Sequence, residues 1–183
     1  MIRCRIKKKT VLEKINEKKW FALYTKSRAE KKVELELAAK GFEVYLPLEK
    51  RLRIWSDRKK WVYEPLIRSY VFVKTTHGHL ENAFYTPGVF TIVKFEGFPA
   101  PIPEKQIDLI KTLLSSGESF EVTSRQFEIG DKVTINKGDL KNFSGELIQH
   151  VNKYKVLVRL DILQQNLLIH INPSYLKKVE QEA

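Results

Sequence analysis

The sequence predicts an α+β chain of two small domains: a ferredoxin-like βαββαβ fold with an extra helix, followed by a small SH3-like β-barrel. Three observations carry this reading. The 183 residues suit one ordinary domain or two small ones. From Trp20 to Leu114 the apolar pattern runs strand, helix, strand, strand, helix, strand and then one more helix, the split βαβ arrangement. After the small, polar, helix-breaking run Ser115-Ser116-Gly117-Glu118-Ser119, short strands separated by turn residues follow at close spacing. The expected organisation is a basic tail over 1–19, a first domain over 20–114, a linker over 115–125 and a second domain over 126–183.

Composition narrows the class. With 33 Lys and Arg against 22 Asp and Glu, the net charge is +11, which points to an acidic partner, nucleic acid being the commonest. A hydrophobic share of 43% is enough for a core and excludes wholesale disorder. No window approaches the ~18 apolar residues of a membrane-spanning helix, and the basic start lacks the apolar stretch of a secretory signal. The single cysteine, Cys4, excludes an internal disulfide and a cysteine-cluster metal site. The expectation is a soluble, cytoplasmic, monomeric protein without a cofactor.

The elements follow in order. Trp20-Phe21-Ala22-Leu23-Tyr24-Thr25 reads as a strand. Ser27-Arg28-Ala29-Glu30 reads as a capping box opening a helix with Ala29, Val33 and Leu37 on one face, and Gly41 is its left-handed stop. Phe42, Val44 and Leu46 alternate with Glu43 and Tyr45 in a second strand, which Pro47 interrupts. Glu49 to Lys60 is a basic hairpin or loop, Trp61-Val62-Tyr63 its short return, and Leu66 to Lys74 the third strand. A short helix over Leu80–Tyr85, a strand over Val89–Lys94 and a helix after Pro103 complete the domain. That last helix is expected to bury Ile107, Ile110, Leu113 and Leu114. Five strands are expected beyond the linker: Lys132–Asn136, Glu146–Val151, Tyr154–Leu160, Leu167–Ile171 and Tyr175–Val179.

Alternation assigns faces. Val71 and Val73 point one way, Tyr70 and Phe72 the other; Trp20, Ala22 and Tyr24 likewise oppose Phe21 and Leu23. Helices cover one face of such a sheet, and the valines suit it. Tyr24, Tyr70 and Phe72 are then expected as one exposed aromatic patch, if their strands are neighbours. Three readings fit the patch: cover by another part of the chain, base stacking as in an RNA-recognition motif, or an apolar protein partner. Arg68-Ser69-Tyr70-Val71-Phe72-Val73 matches the RNA-recognition pattern only in part, departing from it at Ser69, Val71 and Thr75. In the basic segment, Lys50, Arg51, Arg53, Arg58, Lys59 and Lys60 are interleaved with Trp55 and Trp61, so phosphates could be held by the cations and bases stacked on a tryptophan. A solvated charged hairpin fits equally well.

Four stretches together resemble the NusG-type transcription elongation factors. Trp20 to Thr25, Glu64-Pro65-Leu66-Ile67-Arg68-Ser69-Tyr70-Val71-Phe72-Val73 and Thr86-Pro87-Gly88-Val89 resemble their N-terminal domain. Phe127-Glu128-Ile129-Gly130-Asp131-Lys132-Val133, with Ile135, Gly138 and Phe143-Ser144-Gly145, resembles their C-terminal KOW domain. The loops are closer in style to specialised paralogs of the RfaH and UpxY type. The resemblance implies an antitermination factor that binds the clamp helices of the RNA polymerase largest subunit through Tyr24, Tyr70 and Phe72, suppressing pausing or termination at a specific operon. It also implies contact with non-template DNA or nascent RNA, with Lys26, Arg28 and Lys32 as the matching positions, joined by Arg51, Arg53, Arg58, Lys59 and Lys60. The usual Gly-Pro-Phe of the KOW first loop is here Gly138-Asp139-Leu140, and Ile162-Leu163-Gln164 replaces Phe-Gly-Arg. Contact with Rho or ribosomal protein S10 is left to Ile162 and Leu163. The alternating Lys155-Val156-Leu157-Val158 favours a barrel over a helical hairpin.

No nucleophile motif, phosphate loop or paired metal ligands appear, and the chain reads as a non-enzyme. His77-Gly78-His79 with Glu81 is the one metal-like cluster and reads as a solvent-facing loop; His150 and His170 fall on strands. The alternative function is an RNA-binding protein that stacks bases on the sheet, with the KOW domain on RNA or ribosome.

Overall fold

The computed structural model describes residues 17–54, 58–117, 119–124, 130–150 and 153–179. Most of the basic tail with Cys4, the Trp55–Asp57 tip of the hairpin and the Phe127–Ile129 stretch lie outside them. By packing, the chain divides into two units, Met1–Glu104 and Lys105–Ala183.

In the first unit, β1 (Lys19–Thr25), β2 (Glu43–Tyr45), β5 (Tyr70–Thr75) and β6 (Val89–Ile92) form an antiparallel sheet in the order β2-β5-β1-β6. With α1 (Glu30–Ala39) and α2 (Leu80–Phe84), this is the expected βαββαβ chain path. Phe21, Leu23, Val71 and Val73 make the core with Val33 and Leu37 of α1 and Leu80 and Ala83 of α2, all buried. β3 (Leu48–Ile54) and β4 (Lys59–Pro65) form a separate two-stranded ribbon between the second and third core strands.

Several local expectations are corrected. Ser27 does not cap α1: Ala29 holds the N-cap position without a side-chain bond. Arg28 turns through φ 63°, which sets the serine two residues too early. Glu30 instead points inward, and its Oε1 accepts the backbone N–H of Ser69 at 2.8 Å. The third core strand begins at Tyr70 rather than Leu66 because Ser69, also at φ 63°, breaks the extended run. The strand expected over Val89–Lys94 ends at Ile92, and β7 (Lys94–Phe95) turns back on β8 (Phe98–Pro99). The proline-rich segment contributes β9 (Pro101–Ile102), which pairs with Trp20 and Phe21 of β1.

The second unit takes α3 (Glu104–Ser116) from Lys105 onward. Ile107, Leu109, Ile110 and Leu113 are its buried residues; Leu109 takes the place expected for Leu114, which is half-buried. The Gln106 side-chain amide donates to the Arg159 carbonyl at 3.4 Å. Six antiparallel strands follow: β10 (Phe120–Thr123), β11 (Lys132–Ile135), β12 (Ser144–His150), β13 (Lys153–Leu160), β14 (Gln165–His170) and β15 (Leu176–Lys178). Their order is β10-β14-β13-β12-β11-β15. Five are the expected barrel strands. β10 corrects the expected 115–125 linker: Phe120 and Val122 flank Glu121 with strand alternation and pair with Ile169 and Leu167. Gly145 is required where β12 approaches β13, since a Cβ there would stand 2.5 Å from the Leu157 carbonyl oxygen.

Candidate functional site

The β1–β5 register places Trp20 opposite Lys74, Ala22 opposite Phe72 and Tyr24 opposite Tyr70, so the predicted aromatic residues do share the face away from the helices. They do not share one environment. Tyr24 is 38% exposed and its ring meets Tyr70, half-buried, edge-on at 5.3 Å. Phe72, expected in the exposed patch, is fully buried. The edge strand β2 explains the difference. Tyr45 lies opposite Phe72, its ring stacks over it at 6.3 Å, and Trp20 closes on Tyr45 edge-on at 6.5 Å. Burial pushes the Tyr45 phenol up to about 12, and burial followed by the neighbouring Tyr24 raises that of Tyr70.

Sequence alternation missed a member of the exposed half. Phe90 is 65% exposed and meets Tyr24 edge-on at 6.3 Å. Ile92 opposes the core residue Leu23, so regular alternation would turn Phe90 toward the core as well. A bulge intervenes: Tyr24 pairs with Thr91 but Thr25 with Val89, leaving Phe90 as the extra residue. The face therefore divides into a packed cluster around buried Phe72 and Trp20, with half-buried Tyr45, and a more open one of exposed Tyr24 and Phe90 with half-buried Tyr70.

The basic candidates also separate. Lys26, Arg28 and Lys32 are exposed at the start of α1. Of these, Arg28 lines a cleft of about 640 Å³ with Lys31, Arg53, Tyr63 and Arg68, and Lys31 Nζ donates to the Tyr63 carbonyl at 2.7 Å. On the hairpin, opposed residues share a face, so Glu49, Arg51, Arg53, Lys60, Val62 and Glu64 form one side and Lys50, Leu52, Ile54, Lys59, Trp61 and Tyr63 the other. Arg51 and Arg53 are engaged within their own side. Arg51 Nε donates to Glu49 at 2.7 Å, and Arg53 grips Glu64 with two bonds of 2.7 and 2.9 Å. The Arg53 bonds hold the Glu64 carboxyl below the usual carboxylate range. Arg58, Lys59 and Lys60 are exposed, and Lys50 lies over the Trp61 ring at 5.1 Å.

In the second unit, Leu163 is 97% inside: its exposure is 3%, and it is a barrel residue rather than a contact point. The short 3₁₀ turn Asp161–Leu163, closed by Gln164 at φ 51°, rotates it inward and leaves Ile162 half-buried at the surface. Leu140, of the altered first loop, is buried too. His77 and His79 sit in a 3₁₀ turn before α2, the His77 ring against Phe21 at 5.0 Å. Among the described residues, no group of three His, Cys, Asp or Glu side chains is placed to hold a metal ion.

The chain thus joins a ferredoxin-like sheet carrying an open aromatic cluster to a small β-barrel, a two-module α+β class. Comparison with known proteins identifies the family. The family described as transcription termination factor nusG matches residues 18–111, and the chain belongs to this family. It is 28% identical over 156 residues to the transcription termination/antitermination protein NusG of Chlamydia pneumoniae, covering 78% of this chain and 85% of that one. To the corresponding Staphylococcus aureus (strain Mu50 / ATCC 700699) protein it is 24% identical, covering 91% of this chain and 99% of the relative. In fold it is similar to a solved structure of domain interaction in Thermotoga maritima NusG, at TM-score 0.53 and 23% identity, covering 90% of this chain and 98% of that one. The protein is thus a transcription termination/antitermination factor of the NusG family.

Proposed function

We propose that this factor binds the clamp helices of the RNA polymerase largest subunit through Tyr24, Tyr70 and Phe90, and thereby suppresses pausing or termination, acting as a specialised paralog at a specific operon. The observation that carries this reading is the contiguous cluster of exposed Tyr24 and Phe90 with half-buried Tyr70 on the helix-free face. A protein helix needs one continuous apolar area to rest on. Base stacking fits less well, because Phe72, one of the two rings the β5 strand would offer, lies under Tyr45. Phe72 then supports the patch from within. The effect on transcription is one of binding: a factor that prefers the closed clamp lowers the population of paused conformers.

In the same reading, Lys26, Arg28, Lys32, Arg58, Lys59 and Lys60 face non-template DNA or nascent RNA. Ile162 is the surface residue left for a barrel partner, with Rho and ribosomal protein S10 the two to test. The site of action is the cytoplasm. The experiment is retention of purified RNA polymerase by the immobilised full chain. Wild type is expected to retain it, and Tyr24→Ala/Tyr70→Ala/Phe90→Ala to lose it while keeping its fold. A folded triple variant that retains polymerase as well as wild type would exclude the patch.

A further inference from the structure

We infer that one face of the β3–β4 hairpin is a stacking surface for single-stranded nucleic acid, built from Trp61 and Tyr63 and flanked by Lys50 and Lys59. The inference deepens the nucleic-acid contact proposed above and rests on it for biological context only. Register puts Lys50 opposite Tyr63, Leu52 opposite Trp61 and Ile54 opposite Lys59, all on the same side of the ribbon. That side is open: Trp61 is 57% exposed, Tyr63 56%, Ile54 68% and Leu52 43%. A two-stranded ribbon that leaves so much apolar surface in water is not serving its own core.

Charge selects the occupant. The two carboxylates of the ribbon's strands, Glu49 and Glu64, both lie on the opposite side, each bonded to an arginine there. The aromatic side carries Lys50 and Lys59 instead, and Lys50 is already poised over the Trp61 ring. Exposed rings two residues apart on one strand, about 7 Å along it, with ammonium groups beside them, match a polyanion whose bases are unpaired. Rings accept base faces of any sequence, and lysines accept the phosphates between them. A duplex hides its base faces and would gain only the lysines. An acidic protein surface would use the lysines but does not offer the regular succession of flat bases that unpaired nucleotides bring to both rings.

The test is binding of the full chain to fluorescein-labelled oligo-deoxythymidylate and to a duplex of equal length, read by anisotropy. Trp61→Ala and Tyr63→Ala are each expected to weaken single-strand binding about 10-fold, leaving duplex binding within about twofold. Trp61→Phe should keep most of the affinity, and Arg51→Gln should leave it within about twofold, since Arg51 serves the other face. Single-strand binding unchanged in the double alanine variant would overturn the inference. So would an equal loss on duplex, which would reduce the contact to phosphate attraction. If wild type binds no oligonucleotide but its polymerase retention requires Trp61 and Tyr63, the face docks protein and the inference is wrong. Polymerase retention by the same double variant is scored separately. Loss of oligonucleotide with polymerase kept supports the stacking face, while absence of polymerase binding by wild type would overturn only the function proposed above.

Discussion

Phe72 and Phe90 are chemically the same residue in opposite circumstances. Phe72 sits in register between Ala22 and Tyr45 with the Tyr45 ring over it, whereas Phe90 is pushed into solvent by a bulge. Their alanine variants should separate stability from binding. Phe72→Ala is expected to cost about 3–5 kcal/mol in urea unfolding, from lost transfer energy and the cavity left behind. Phe90→Ala should fall within about 0.5 kcal/mol of wild type yet weaken polymerase retention. Phe90→Ala destabilising as much as Phe72→Ala would mean that the exposed cluster is structural.

At the scale of elements, the β3–β4 ribbon is held by its own charged side. The Arg53 hydrogen bonds lower the Glu64 titration, so the link is fully present above the ordinary carboxylate range and is lost as the pH falls through that depressed value. Following the Arg53 Nε–H resonance during acidification should show it unchanged at mildly acidic pH and shifting only once Glu64 protonates. A shift at neutral pH would exclude the pairing. The same ribbon shows what charge counting leaves out. Six cations close together in sequence read as one basic segment, but cross-strand register divides the five that fall within it, with Arg51, Arg53 and Lys60 on the side that carries the carboxylates and Lys50 and Lys59 on the aromatic side.

At the scale of the molecule, burial of Tyr45 links the stability of the first unit to alkaline pH. Its phenol is raised from an ordinary 10.0 to about 12, so its contribution to stability is complete below about pH 10 and is lost as the pH rises through about 12. Ultraviolet titration should therefore show one tyrosine ionising near the end of the alkaline range, together with loss of the Trp20–Tyr45–Phe72 cluster. Titration of every tyrosine at ordinary values would contradict the burial. The barrel makes a parallel point about backbone: Gly145 allows β12 to lie against the Leu157 carbonyl, a closeness that any side chain would prevent.

Much of this was legible in the chain. Period-two and period-3.6 apolar patterns gave the order of strands and helices in both units, because side-chain direction is set locally by the backbone. The same alternation assigned Phe21, Leu23, Val71 and Val73 to the core, and family motifs placed the protein among NusG-type factors. Tertiary structure alone decided the rest. Ser27 met the pattern of a cap, but the left-handed turn at Arg28 removed it from the helix end. Phe120–Thr123 followed a polar run and became a strand only because β14 offers an edge to pair with. Leu163 turned inward with a 3₁₀ turn, Phe90 outward with a bulge, and Phe72 was covered by a ring 27 residues earlier in the chain, Tyr45. Alternation says which face a side chain takes; what stands on that face depends on register, bulges and strand neighbours, which are fixed only when distant segments pair.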